Sequence, residues 1–241
     1  MRSQIQTIIT AAGYSEQQFL DSEFEVPKGL VLVDGRSVIS RAIESYTLDF
    51  EALNVALNEE ECDRWDLDKH VSCLYPSTRI TRVKSSVRGA VASALLASSS
   101  IDPDLPLVIG AGDSEIDADL NPIISKFLET EVAGGTIVFR ASGPRWSYVG
   151  VDGHGRVTEV SEKYQVGTLA TTGLFFFRSA KMFLEASSWT LLNNAHVEGS
   201  FYISTTLNYL ISEGLEVHYH EINPRHYKPW SRPQDFEESP K

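Results

Sequence analysis

The stretch IQTIITAAG, residues 5–13, decides how the chain folds. It is short, rich in β-branched residues and ends in Ala-Ala-Gly, so it predicts a buried strand that stops at a turn. Two methyl groups and a hydrogen leave the backbone N–H groups of Ala11, Ala12 and Gly13 accessible to a ligand. Small residues at such a turn also serve packing alone, so the stretch by itself leaves both roles open.

Strands and helices alternate after this stretch. The pattern predicts a strand at 30–35, a helix over 36–48 capped by Ser37, a strand at 52–57, an acidic helix from Glu59, a strand at 78–84, a helix of small residues at 87–98 and a strongly apolar strand at 105–113. Such alternation predicts a parallel sheet with right-handed crossovers, in which ligands bind beyond the carboxyl ends of the strands. Gly13 and Asp113 lie at two such ends.

The second half of the chain has a different pattern. It predicts strands at 134–142, 146–151, 156–163, 172–180 and 215–222, with helices at 180–192 and 201–214. The second and third of these strands are joined by the turn DGHGR and predict a hairpin. No repeat or linker divides the sequence, which predicts a single α/β domain over residues 1–241.

Composition limits the classes of function. A net charge of -12 and a pI near 4.9 oppose a phosphate backbone, so nucleic acid is not an expected partner. Two cysteines, Cys62 and Cys73, provide neither a disulfide framework nor a metal site and suit a reducing compartment. The N-terminal residues lack a signal-peptide pattern and no run is long enough to span a bilayer, so we expect a cytoplasmic protein without a membrane partner.

Charged residues near the strand ends are the candidates for chemistry. Lys28 follows Pro27, which fixes the local backbone and would hold the ammonium over a phosphate, although a solvated surface lysine has the same sequence pattern. Asp113 closes an apolar strand, where a carboxylate can hold Mg²⁺ against phosphate oxygens or instead cap the turn at Ser114. Further acids follow in the same loop: Glu115, Asp117 and Asp119.

Fewer signals lie in the second half. Glu162 and Lys163 end a strand and would present an acceptor and a cation to a sugar phosphate, or form a surface ion pair. His218 and His220 share a strand face, but without a third ligand they do not predict a metal site. His196 and His226 are expected in loops, where they could contact substrate. No G-x-S-x-G or P-loop motif indicates a hydrolase or an ATPase.

Five segments, taken in order, resemble the sugar-phosphate nucleotidyltransferase family, particularly small stand-alone members of surface-polysaccharide pathways. They are IITAAG, VPKGLVLVDGRSVISRAIESY, PLVIGAGDSEID, GPRWSYVGVDGHGRVTEVSEK followed by ATTGLFFF, and WSRPQDFEES. The resemblance covers nearly the whole chain. It implies a three-layer α/β/α Rossmann-like fold with a mainly parallel mixed sheet, a nucleotide half at about 1–130 and an acceptor half at about 131–241.

The resemblance also implies a reaction and its residues. A sugar-1-phosphate or related phosphorylated alcohol would attack the α-phosphorus of a nucleoside triphosphate, and pyrophosphate would leave with the help of Mg²⁺. The implied site residues are Ala11, Ala12, Gly13 and Gly89 for the nucleotide, Lys28 for the phosphates, Asp113 for the metal, and Glu162, Lys163, Gly173 and Glu198 for the acceptor. The oligomeric state is left open, with a homodimer as one option.

The chain departs from the family pattern at three places. Residues 14–18, YSEQQ, replace a turn that carries a second glycine and an arginine; Ser200 stands where relatives have a glutamate, for which Glu198 would substitute; and the segment RHYKPWSR has no second metal-binding acid, with Asp235 expected to cap the final helix. Two alternatives therefore stay open. One is a catalytically silent homologue that binds sugar phosphate or nucleotide-sugar, and the other is a glycosyltransferase that uses Asp117-Ala118-Asp119 as a D-x-D motif.

Overall fold

The computed structural model describes residues 5–13, 19, 24–46 and 50–237. The strands are β1 (Ile5–Ala11), β2 (Leu32–Val33), β3 (Arg36–Ser37), β4 (Phe50–Asn58), β5 (Arg79–Val83), β6 (Leu107–Ala111), β7 (Ser114–Ile116), β8 (Gly134–Arg140), β9 (Ser147–Val151), β10 (Val157–Glu162), β11 (Leu169–Phe177), β12 (Val217–Glu221) and β13 (Tyr227–Pro229). The α-helices are α1 (Val38–Ser45), α2 (Glu59–Trp65), α3 (Leu67–Leu74), α4 (Gly89–Ala97), α5 (Leu120–Glu129), α6 (Ala180–Leu192), α7 (Ile203–Ser212) and α8 (Gln234–Glu237). Short 3-10 helices occupy Lys28–Leu30, Ser98–Ser100 and Pro224–His226.

One nine-stranded sheet runs through both halves of the chain. Its main path is β10-β9-β11-β6-β1-β4-β5, and β8 pairs with both β11 and β12. The block β6-β1-β4-β5 is parallel throughout, whereas β11 runs antiparallel to β6, β8 and β9. The carboxyl ends of β1 and β6 are therefore neighbours, which places Gly13 and Asp113 at the same edge of the sheet.

Apolar side chains cover both faces of this sheet. On β1, Ile9 packs in a core cluster with Ile39 of α1, and its neighbour Ile8 packs in a second cluster with Val91 of α4. Successive residues of a strand point to opposite faces, so the two clusters lie on opposite sides. The predicted fold class, a mixed α/β/α sandwich, is confirmed.

Two local predictions differ from the structure. The strand predicted at 30–35 is a 3-10 turn followed by the two-residue β2, because Asp34 (φ 49) and Gly35 (φ 77) form a tight hairpin turn and Ser37 caps α1 directly afterwards. Helix α5 was not predicted. Pro122 is its third residue, a position whose N–H has no partner within a helix, so the proline does not break it.

No helix within the described ranges has both the length and the apolar character needed to cross a bilayer.

Candidate functional site

A cavity of about 340 Å³ opens beyond the carboxyl ends of β1 and β6. Six predicted residues line it: Ala11, Ala12, Gly13, Lys28, Gly89 and Asp113. These residues are distant in sequence and lie on four different segments, yet the strand ends and the start of α4 converge on one space. The size is that of a small-ligand pocket.

Lys28 and Asp113 form an ion pair at the cavity wall. The Nζ of Lys28 lies 2.6 Å from Oδ2 of Asp113, and their side chains are 21% and 31% exposed. Lys28 begins the 3-10 helix that follows Pro27, whose backbone is extended (φ -62, ψ 148). The carbonyl of Asp113 accepts a hydrogen bond from the N–H of Trp230 at 2.8 Å, which ties the closing segment to this strand end. One cation and one carboxylate thus face the cavity together.

Tyr46 fixes the strand end that carries Asp113. Its ring is fully buried under Gly110, where an added Cβ would come 2.6 Å from the ring. Its hydroxyl accepts from the N–H of Ala111 at 3.2 Å and lies 3.3 Å from the hydroxyl of Ser114. Burial raises the pKa of Tyr46 to about 12, so the hydroxyl stays protonated at neutral pH. Asp113 is held between two residues that contact this hydroxyl.

Helix α4 begins at the cavity. Gly89 has φ +84, and an added Cβ would overlap the backbone nitrogen and oxygen of Phe201. The N–H of Val91 donates to the carbonyl of Phe201 at 3.1 Å. Ala90 and Ser93, in the first turns of α4, also line the cavity. Backbone N–H groups at a helix start carry partial positive charge, so this wall suits an anionic ligand.

The other acids of the Asp113 loop lie outside the cavity lining. Glu115 binds Arg41 at 3.1 Å and Lys228 at 3.4 Å, so two cations neutralise it. Asp119 caps α5 by accepting from the N–H of Asn121 at 3.0 Å, and Asp117 is exposed on the loop before it. Across the described residues, no group of three or more His, Cys, Asp or Glu side chains is arranged to hold a metal ion. Asp113 is thus the carboxylate from this loop that reaches the cavity.

The predicted acceptor residues form a cluster beside the cavity. Glu162 is mostly buried and accepts hydrogen bonds from the hydroxyls of Ser147 and, at 2.8 Å, Ser204, while its burial raises its pKa. Lys163 forms an ion pair with Glu198 rather than with its neighbour Glu162. The cluster adjoins the cavity through Tyr202, whose ring centroid is 5.7 Å from the Lys163 ammonium and which lines the cavity wall.

Gly173, the remaining predicted acceptor residue, lies next to the end of β6. Its φ is +85, and an added Cβ would come 3.0 Å from the Cβ of Ala111, a cavity residue. The glycine therefore lets β11 approach the end of β6 closely. It lies behind the cavity wall and does not line it.

The four histidines considered as candidates lie outside the cavity lining. His196 accepts a hydrogen bond from the N–H of Gly199 at 3.1 Å, and His226 ends a 3-10 turn. His218 lies 3.5 Å from Glu216, and burial lowers the pKa of His220. None of the four lines the cavity.

Two further predictions concern the departures from the family pattern. Residues 14–18 lie outside the described residues. Asp235 lies within α8 rather than before it; its carboxylate accepts from the N–H of Arg232 at 2.8 Å and binds Arg145 at 2.5 Å. The expected helix cap is therefore wrong in position, since the acid reaches back to the turn that precedes α8.

Glu61 and Tyr202 line the cavity but were absent from the sequence prediction. Glu61 is in the first turn of α2, which starts directly after β4, the parallel neighbour of β1. The strand-end rule that selected Asp113 would have found it. Tyr202 precedes α7 and reaches the cavity through the packing of Phe201 on Gly89, a contact that leaves no local sequence pattern.

No protein-family profile and no curated protein sequence matches the chain. Solved structures do match. A nucleoside-diphosphate-sugar pyrophosphorylase from Vibrio cholerae RC9 shares 20% identity at a TM-score of 0.83, over 96% of this chain and 98% of its own. The inositol-1-phosphate CTP transferase from T. maritima shares 17% identity at a TM-score of 0.76, over 97% of this chain and 91% of its own.

A third match is a candidate glucose-1-phosphate thymidylyltransferase from Bacillus anthracis, in complex with sucrose. It shares 17% identity at a TM-score of 0.77, over 97% of this chain and 92% of its own. The likeness extends over nearly the full length of all three proteins. The chain therefore has the nucleotide-diphospho-sugar transferase fold of these nucleotidyltransferases.

Proposed function

We propose that the protein is a nucleotidyltransferase. It joins a nucleoside triphosphate to a sugar-1-phosphate or a related phosphorylated alcohol and releases pyrophosphate. The observation that carries the proposal is the Lys28–Asp113 pair, 2.6 Å apart in a cavity at the carboxyl ends of two parallel strands. In this fold the neighbours from V. cholerae and T. maritima are named for the same class of transfer.

Charged, polar and small residues of the cavity would have different roles in binding the substrates. The ammonium of Lys28 would bind the phosphates of the triphosphate, and the first N–H groups of α4 would donate to its anionic oxygens. The backbone at Ala11, Ala12 and Gly13 is free of bulky side chains and allows the nucleotide to lie close to the sheet. A phosphate oxygen of the acceptor would attack the α-phosphorus, with catalysis by positioning and charge neutralisation.

The residues present fit a Mg²⁺ ion held with the substrate. Mg²⁺ usually keeps several waters and is bound by one or two carboxylates plus substrate phosphates, and Asp113 supplies one carboxylate at the cavity. Bound there, the ion would offset the charge that develops on the transferring phosphates. Asp113 would orient it, and Lys28 would move from Asp113 to the phosphates.

The test combines binding and turnover. A thermal-shift panel of the common triphosphates, with and without Mg²⁺, selects the base, because a ligand that binds the native state raises its stability. Pyrophosphate release is then measured across phosphorylated acceptors. Asp113→Asn should reduce turnover by about 10²-fold or more, the size of a lost charge-stabilising group. The matched control is Asp117→Asn, which removes an exposed acid of the same loop outside the cavity.

The outcomes separate the candidate functions. If no triphosphate and acceptor pair yields pyrophosphate, the transferase proposal fails. If Asp117→Asn and not Asp113→Asn abolishes transfer from a nucleotide-sugar, the D-x-D glycosyltransferase is correct instead.

One observation favours the silent homologue as a second candidate. Both predicted substrate cations, Lys28 and Lys163, are paired with carboxylates of the chain itself. Such internal pairing of lysines is expected in a protein that binds a nucleotide-sugar through uncharged side chains and backbone groups. Calorimetry that detects binding of a nucleotide-sugar but no binding of a triphosphate would support the silent homologue. Mg²⁺-dependent triphosphate binding would exclude it.

A further inference from the structure

A tight turn beside the cavity holds Glu198 in place. Val197 and Ser200 exchange two backbone hydrogen bonds of 3.0 Å, and the two residues between them, Glu198 and Gly199, have φ of 51 and 80. Two positive φ values in a two-residue loop are typical of a type I′ hairpin turn. The two backbone hydrogen bonds restrict this turn, so the direction of the Cα–Cβ bond of Glu198 is set by the backbone.

Glu198 binds the ammonium of Lys163. Lys163 also has a positive φ, 60, and its ammonium lies 5.7 Å from the ring centroid of Tyr202. The hydrogen bond from Lys163 to Glu198 raises the pKa of Lys163, so the Lys163 ammonium stays charged at neutral pH. Since Tyr202 lines the cavity, the ion pair lies beside the cavity wall although neither partner lines it.

Glu162 adds a second carboxylate to the same cluster. Its acceptor bonds come from Ser147 and Ser204, and Lys163 and Glu198 are close enough to act on it electrostatically. The cluster of these three charged side chains therefore holds one cation and two carboxylates. Its cation is already neutralised by Glu198, so a second anion on a ligand would find no compensating charge there.

We propose that Glu198 determines acceptor specificity. Resting on the proposed transfer reaction, this means that the cluster accepts phosphomonoesters whose other groups are hydroxyls or an ammonium, and rejects those with a second anionic group. Hydroxyls donate readily to the carboxylates of Glu162 and Glu198. A second phosphate or carboxylate would have to break the Lys163–Glu198 pair and would then be repelled by two carboxylates. The cluster therefore disfavours binding of ligands with a second anionic group.

The experiment compares acceptors that differ by one anion. The pairs are glucose 1-phosphate with glucose 1,6-bisphosphate, and glycerol 3-phosphate with 3-phosphoglycerate. Calorimetry gives the Kd of each with the full-length protein, so the comparison does not depend on turnover. The wild type should bind the member with a single anionic group more tightly than the member with two. Glu198→Gln should reduce the ratio of the two Kd values by about two- to fivefold, the size of one charge interaction at an exposed site.

Two further variants complete the design. Lys163→Gln leaves both acids without their cation and should widen the preference. Glu216→Gln removes one carboxylate from a surface ion pair with Arg156 and should leave the preference unchanged. The proposal is overturned if the wild type prefers the members with two anionic groups, if it binds neither member of either pair, or if Glu198→Gln does not change the ratio of the two Kd values. If the ratios behave as expected but no acceptor yields pyrophosphate, the transferase proposal fails while the specificity stands.

Discussion

Gly89→Ala should destabilise the protein more than an ordinary Gly→Ala substitution at positive φ. Two effects act at this position. The first is the backbone conformation, φ +84, which an L-residue adopts at a penalty of about 1–2 kcal/mol. The second is overlap, because the new Cβ would meet the backbone of Phe201, with the carbonyl carbon 2.9 Å away. Backbone atoms cannot rotate aside as a flexible side chain can.

The overlap of the added Cβ with the Phe201 backbone also lowers the stability of the protein. Forcing an extra methyl group into a packed site typically destabilises by about 1–3 kcal/mol. Added to the conformational term, this gives a total loss of about 2–5 kcal/mol in the free energy of unfolding. Relief of the overlap would shift Phe201 and the adjoining Tyr202, so the same substitution should also weaken ligand binding in the cavity.

A second glycine separates the two terms. Gly35 has φ +77 in the β2–β3 turn, and a Cβ added there would have no atom within 4 Å. Gly35→Ala therefore reports the conformational term alone, about 1–2 kcal/mol. Urea unfolding of the wild type and both variants, analysed by linear extrapolation, gives the difference. Equal losses for the two variants would refute the close approach of α4 to Phe201 and with it this wall of the cavity.

Three further results are expected. Tyr46→Phe removes a hydroxyl that accepts from the N–H of Ala111 and contacts Ser114, and should lower the free energy of unfolding in urea by about 1 kcal/mol; no loss would mean that the hydroxyl holds neither group. Burial raises the pKa of Glu162 above its ordinary 4.5. The protonated side chain therefore stabilises the folded state at a pH below the pKa of the unfolded chain, and this stabilisation is lost as the pH rises through the pKa of the folded protein. The stability of the wild type relative to Glu162→Gln should therefore fall as the pH rises above the ordinary pKa of 4.5, and a flat difference would contradict the burial of a carboxylate. Ser204→Ala removes a hydrogen bond that lowers the pKa of Glu162, so an NMR titration should show that pKa rise further, whereas a fall would exclude the bond.

The sequence predicted the parts of the site that lie at strand ends. Ala11 and Asp113 close two apolar runs, and parallel strands necessarily bring their carboxyl ends to one edge, so the cavity follows from the order of elements. Glu61 obeys the same rule but was hidden in a run of acids that indicates only an exposed helix. Lys28 and Gly89 lie at no strand end, and the family resemblance, not the strand-end rule, assigned them to the site.

The charge pairing could not be predicted from the sequence. Lys163 is adjacent to Glu162 but binds Glu198, which is 35 positions later, and both Lys163 and Glu198 have positive φ values. Such conformations are uncommon for residues other than glycine and depend on tertiary contacts. The helix α5 was hidden for a different reason, since Asp117, Asp119 and Pro122 indicate a loop and only packing of the apolar face of α5 against the sheet overrides them.

The Lys28–Asp113 pair bears most directly on whether the cavity is active. With side chains 21% and 31% exposed, the pair is partly solvated and should contribute no more than about 1 kcal/mol. A hydrogen bond from an ammonium to a phosphate oxygen is worth about 1.5–3 kcal/mol. A triphosphate would therefore displace Asp113 from Lys28 at little cost and leave the carboxylate facing the same phosphates. Exchange of this pair would supply both the cation and the acid that phosphate transfer requires, so internal pairing at Lys28 is compatible with turnover. For Lys163 the balance differs, because the two carboxylates beside it remain after any exchange.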